Sequence, residues 1–137
     1  MLVFRHLIAL FLLIPVFSTN AQTGKNEKAS EEKIEAYYFH YTSRCMTCRT
    51  VEEKAKENLE TLYPDLVKAG KITFQAANLM EEPGEKLAKK LGVSGQTLMI
   101  TKGPKQINLT NEAFLYAVTN PEKYRALIKE KVDELLK

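Results

Sequence analysis

Seven residues from Ile34 to His40, Ile-Glu-Ala-Tyr-Tyr-Phe-His, are apolar or aromatic almost throughout, and Arg44-Cys45-Met46-Thr47-Cys48-Arg49 follows shortly after with both cysteines of the chain. A run with so little alternation suits a central strand covered on both faces. Beyond it Cys48, Val51, Ala55, Leu59 and Leu62 recur at steps of three and four, the stripe of an amphipathic helix. Thr50 followed by Glu53 offers a capping box, although the helix is expected to begin earlier. A Cys-x-x-Cys pair therefore falls where a buried strand gives way to a helix, and few folds meet that condition.

The remaining pattern extends the same architecture. Pro64 and Gly70 bracket a short second helical turn. Ile72 to Ala76 alternates as a second strand, Glu82 to Leu91 is a short helix, and Gly92 is a good residue to stop it. Thr97 to Thr101 reads as a third strand; Lys102-Gly103-Pro104 turns the chain, and Lys105 to Leu109 returns as a fourth. A short helix is expected over Asn111 to Val118. Asn120-Pro121 then caps a last helix with Tyr124, Leu127, Ile128, Val132 and Leu135 on one side. A helix between the first two strands makes them parallel through a right-handed crossover, and the last two strands form an antiparallel hairpin. The expected fold class is α/β: a mixed four-stranded sheet with helices on both faces.

The length of 137 residues fits one domain. Met1 to His6 is a short basic start, Leu7 to Phe17 is apolar, and small residues end the run at Ala21. This is the pattern of a secretory signal peptide over 1–21, with cleavage near Ala21. A retained anchor is the alternative, but the run is short for a bilayer and Pro15 interrupts it. No cysteine follows the run to take a lipid. Residues 22–33 read as a flexible polar lead and 34–137 as the domain. The expected location is periplasmic or secreted, with a mature form that does not span a membrane. A net charge of +3 without a block of like charge gives no reason to expect nucleic acid.

Export frames the cysteine chemistry, because dithiols outside the cytosol tend to become disulfides. Residues three apart on a helical turn lie close together. Cys48 belongs to the apolar stripe and should face inward; Cys45, at the mouth of the helix, should be the more exposed. Thiolate is the nucleophile, and the positive end of a helix with Arg44 and Arg49 alongside favours thiolate at Cys45. Cys48 is then the resolving thiol. Three readings stand at this point. One is a reversible redox pair. The second is a permanent disulfide, a weak staple for so short a loop. The third is a soft metal site, Cys45 and Cys48 holding Cu(I) with Met46 or His40 nearby.

Strand order, Cys45-Met46-Thr47-Cys48 at the first helix and Gly92-Val93-Ser94-Gly95-Gln96-Thr97-Leu98 before the third strand resemble the thioredoxin-like superfamily from about Ile34 to the C-terminus. A narrower likeness rests on Tyr38 to Thr42, Arg44 to Cys48, Ser94 to Leu98 and Leu109 to Phe114. In those segments the chain is similar to small exported bacterial proteins labelled as the nitrophenyl compound nitroreductase subunit ArsF family. No flavin or nicotinamide fingerprint accompanies them, and no cofactor is expected.

The thioredoxin resemblance implies roles and also departures. It places Gln96, just before Thr97, where thioredoxins carry a cis-proline that shapes the backbone pairing with substrate and keeps metal from the cysteines. Gln96 and Thr97 are thereby candidate substrate-binding residues, the Gln96 amide being free to bond substrate backbone. Arg44 stands in place of the family's tryptophan. Counting back from Cys45 puts Phe39 where thioredoxins bury an acid, with His40 as a substitute proton carrier or, more simply, a histidine bonded locally. The function this implies is thiol–disulfide exchange with protein or small-molecule disulfides and dithiols, and a membrane or periplasmic redox partner. The rival is a non-catalytic Cu(I)-binding domain or accessory subunit of a reductase.

Overall fold

The computed structural model describes residues 32–137; the expected signal peptide and most of the polar lead lie outside them. Nine elements follow in chain order: β1 (Ile34–His40), α1 (Met46–Leu62), α2 (Pro64–Lys68), β2 (Ile72–Asn78), α3 (Glu82–Leu91), β3 (Thr97–Lys102), β4 (Lys105–Asn108), α4 (Thr110–Tyr116) and α5 (Pro121–Leu136). The sheet runs β2-β1-β3-β4. β1 and β2 are parallel, Ile34 opposite Ile72 and His40 opposite Asn78. β3 is antiparallel to β1 and forms a hairpin with β4. This is the mixed sheet expected from the order of strands and helices, with one parallel pair and a C-terminal hairpin.

β1 explains its own composition. Alternate residues of a strand face opposite sides of the sheet. Ile34, Ala36 and Tyr38 enter the larger core with Val51, Ala55 and Leu59 of α1 and Tyr124, Ile128 and Val132 of α5. Tyr37 and Phe39 enter a smaller core with Ala77 of β2 and Ala88 of α3. Both faces are covered, so neither parity has room for charge. Full burial of a side chain such as Leu59 or Ile128 contributes about 1.5–3 kcal/mol.

Helix ends follow local chemistry. Gly92 stops α3 in the left-handed region at φ 70°, where a Cβ is unfavourable. The Asn120 side chain accepts from the Lys123 N–H, and Pro121 opens α5. α1 begins at Met46 with Cys45 as its cap, so the Thr50–Glu53 pair lies inside the helix. Thr50 Oγ1 instead donates to the Met46 carbonyl, 3.2 Å away. The α1 stripe also includes buried Asn58, whose Oδ1 accepts from Arg125 of α5. Beside it the buried Tyr124 hydroxyl donates to the Val51 carbonyl, 3.1 Å away. These polar ties fix how α5 lies on α1.

α3 sits on its face of the sheet through one close approach. A Cβ built on Gly84 would lie 2.0 Å from the Asn78 carbonyl oxygen at the end of β2. Only glycine allows helix and strand end to meet there. Gly84→Ala is therefore expected to cost stability on the scale of an overpacked site, about 1–3 kcal/mol, read as a lowered denaturant midpoint. Gly95→Ala, whose added Cβ would meet nothing nearer than the Tyr41 hydroxyl at 3.7 Å, is the control. Equal midpoints for the two variants would contradict this packing.

Candidate active site at the strand–helix junction

The loop from β1 to α1 is tied down at several points. The Leu79 N–H donates to the His40 carbonyl, 2.8 Å away. His40 Nδ1 donates to the Tyr41 carbonyl at 2.9 Å, since a carbonyl can only accept. Asn78 donates from Nδ2 to Thr42 Oγ1 and to Glu81 Oε1, each at 2.9 Å, and accepts the Met80 N–H at Oδ1. Arg44 is ion-paired with Glu52 of α1. The loop thus delivers Cys45 to the start of α1 from a fixed direction.

Cys45 is the N-cap of α1, with φ −72° and ψ 164°. Its sulfur accepts the Cys48 N–H at 3.0 Å, as the oxygen of a Ser or Asp cap would. No acidic residue stands in the first turn, so nothing in that turn opposes the positive end of the helix. The two cysteines form a disulfide with α-carbons 5.1 Å apart. Cys48 is 7% exposed, whereas Cys45 and Arg49 are exposed and Met46 is 85% exposed. One cysteine of the bond lies at the surface and the other lies in the core.

The two arginines differ. Arg49 is exposed and has no carboxylate partner among the described residues. Arg44 shares its charge with Glu52, so it offers Cys45 less than a free guanidinium would. Sequence reasoning missed Glu52, because a contact between a loop residue and the second turn of the next helix leaves no short-range spacing signal.

The third strand brings its own residues to the same pole. β1 ends and β3 begins there, and the Tyr41 hydroxyl lies close to Gly95. Gln96 does not present its amide outward: Nε2 donates to the Tyr38 hydroxyl. Thr97 is buried, and its hydroxyl donates to the Gly95 carbonyl at 2.9 Å. The side chains of Gln96 and Thr97 are thus spent on the protein itself. His40 is buried, and its Nδ1 bonds locally to the Tyr41 carbonyl.

The residue beneath α1 also differs from the family count. Phe39 faces α3, on the far side of the sheet from the cysteine helix. Tyr38 occupies the α1 side and is fully buried. Burial raises its phenol above the ordinary tyrosine value, while the Gln96 hydrogen bond and the Arg44 charge pull the other way. Counting across a loop of unknown length loses the parity of the strand, which is why Phe39 was expected there. The shared parity of Ile34, Ala36 and Tyr38 was the available signal. For Asn78 it was the spacing to Glu81, typical of a side chain closing a turn.

Among the described residues no group of three or more His, Cys, Asp or Glu is arranged to hold a metal ion, and no helix is long and apolar enough to cross a membrane.

No protein-family model matches the chain, and no curated protein matches it. Solved structures similar to it include thioredoxin O2 from Arabidopsis thaliana in the oxidized state, at 19% identity and TM-score 0.47, covering 72% of this chain and 75% of that one. Another is a malarial protein at 17% identity and TM-score 0.39, covering 55% of this chain and 75% of that one. At these values neither likeness carries an argument, and the fold rests on the chain's own topology.

The asymmetry at the junction sets an expected order of reactivity. After reduction, iodoacetamide at neutral pH should alkylate Cys45 before Cys48 and faster than free cysteine, as peptide mapping by mass would show. Arg49→Ala should slow Cys45, and Glu52→Gln, which leaves the Arg44 charge unshared, should speed it. Equal alkylation of both cysteines would contradict the electrostatic account.

Proposed function

We propose that this chain is an exported thiol–disulfide oxidoreductase that exchanges its Cys45–Cys48 disulfide with protein or small-molecule substrates. One observation carries the reading: an exposed sulfur caps the positive end of a helix and is bonded to a buried sulfur in the same turn. A structural staple has no use for that exposure, and a loop this short constrains an unfolded chain little. Export rests on the apolar leader over 1–21.

The exchange proceeds in two displacements. In the reduced protein the Cys45 thiolate attacks one sulfur of a substrate disulfide. The Cys45–substrate S–S bond forms, the substrate S–S bond breaks, and the second substrate sulfur leaves as a thiolate that takes a proton from water. Cys48 then gives up its proton and attacks Cys45 Sγ. The Cys45–Cys48 bond forms, the mixed disulfide breaks, and the first substrate sulfur leaves as a thiol. Two electrons pass from the protein dithiol to the substrate. The oxidised form runs the same steps in reverse, with a substrate dithiol as electron donor. The hydrogen bond that the Cys48 N–H donates to sulfur, together with the positive helix end, stabilises Cys45 thiolate as attacking and as leaving group; the more it does so, the more oxidising the pair becomes.

Residues around the pair have supporting roles. Arg49 supplies positive charge at the mouth, Arg44 is braced by Glu52, and His40 and Asn78 fix the loop that presents Cys45. Turnover requires a redox partner, membrane-bound or periplasmic, to reset the pair. The label of the narrower likeness, a reductase subunit, fits a chain that passes electrons to a larger assembly.

Insulin-disulfide reduction driven by dithiothreitol tests the reading. Cys45→Ser should abolish turnover, and Cys48→Ser should accumulate mixed disulfides that non-reducing gels resolve. A reduced protein that binds one Cu(I) tightly and shows no turnover would replace this reading with the metal-binding one.

A further inference from the structure

The sheet has a second pole, where β1 begins and β3 ends. Ile34 stands opposite Ile72 and Lys102 there, and Lys102 opposite Lys105 across the β3–β4 turn. The end of α5 reaches the same pole, since Lys102 Nζ donates to the Leu135 carbonyl at 2.7 Å. A hollow of about 350 Å³ opens among Glu32, Lys102, Pro104, Lys105, Leu135 and Lys137. Each residue of β1 adds about 3.3 Å, so this pole stands roughly 20 Å from the cysteine pole.

Its charge is one-sided. Lys33, Lys105 and Lys137 are exposed and Lys102 is half-buried. None of the four is ion-paired with a carboxylate among the described residues. Glu32 is the acidic side chain lining the hollow, and it lies against the hairpin turn: a Cβ built on Gly103 would come 2.5 Å from its Oε1. Of the carboxylates near the end of α5, Asp133 is bonded to Lys129 and the Tyr63 hydroxyl, and Glu134 is paired with Lys131. Beside these lysines Leu136 is 43% exposed and Pro104 is exposed. Apolar tips beside long cationic side chains suit a lipid surface, where ammonium groups stay with the phosphates while the apolar groups enter the headgroup layer.

The chain outside the described residues attaches at this pole. Residues 1–31 join the domain through Glu32. Between Glu32 and the apolar run of Leu7 to Phe17 lie residues 18–31, which span at most about 50 Å. A bilayer holding that run therefore has the lysine pole as the attached side of the domain. We infer that the pole formed by Lys33, Lys102, Lys105, Lys137 and Leu136 is a peripheral docking surface for an anionic lipid bilayer, and that it presents the cysteine pair away from the membrane. Each lysine near an anionic surface raises partitioning about fivefold, and Leu136 adds contact with the acyl boundary. The surface is separate from the disulfide and goes beyond the oxidoreductase reading without depending on it.

The test is cosedimentation of the chain, as purified after export, with two kinds of vesicle: phosphatidylcholine alone, and one part phosphatidylglycerol to two of phosphatidylcholine. Wild type should bind the mixed vesicles, come off at high salt and leave pure phosphatidylcholine unbound. Lys33→Gln, Lys105→Gln and Lys137→Gln together should lower partitioning about a hundredfold. The same charge change on the exposed face of α3, Lys86→Gln, Lys89→Gln and Lys90→Gln, should stay within about threefold of wild type. The chain has no tryptophan, so Leu136→Trp gives a single reporter. Its emission should move to the blue on mixed vesicles, and that of Leu115→Trp, at an exposed position of α4, should not. Wild type that binds neither vesicle or both equally, equal binding by the two lysine variants, or a blue shift at 115 without one at 136 would each overturn the assignment. Release by inorganic phosphate at constant ionic strength would replace the lipid surface with a free-anion site. Capture by polyglutamate beads as strong as by vesicles, with no shift at 136, would replace it with a surface for acidic chains.

Discussion

A strand buried on both faces must leave its sheet at some point, and where it leaves it can carry polar groups out of the core in a fixed direction. β1 is that strand here. It is flanked by β2 and β3 and covered by α1 and α5 on one side and α3 on the other. Because nothing in it can shift without disturbing both cores, its end is a rigid mount. The loop from His40 to Cys45 inherits that rigidity through backbone and side-chain bonds to β2 and α1, and the sulfur pair inherits it in turn.

From that mount the asymmetry of the disulfide follows without further design. The first helical residue after the loop is Met46, so the residue before it must cap the helix, and the residue three further on lies one turn inward. Placing cysteines at those two positions makes one sulfur an exposed cap and the other part of the buried stripe. Helix geometry, more than any specialised pocket, separates the two sulfurs.

Much of this was legible in the sequence. The α1 and α5 stripes each repeat over about three turns, and Gly92, Asn120 and Pro121 mark helix ends by their own conformational preferences. The inward bias of Cys48 came from the same periodicity. What was not legible depends on contacts between distant segments. The partner of Gln96 lies 58 residues back, and that of Arg44 is 8 residues on. Neither separation belongs to a repeating pattern, so neither partner could be read from the sequence. The Phe39 assignment failed for another reason: which face of a strand meets a helix depends on loop length, and one residue of error exchanges the faces.

The inward setting of Cys48 also bears on how the pair would meet an oxidant. A peroxide reaching this chain in its dithiol form meets the outer thiolate first. The sulfenic acid made there stands one helical turn from a second thiol that the same oxidant reaches poorly. Condensation to the cystine, with loss of water, lies closer to hand than a second oxygen transfer, and cystine can be restored by an ordinary thiol whereas the sulfinic form cannot. Shielding one member of the pair thus converts a damaging encounter into a recoverable one.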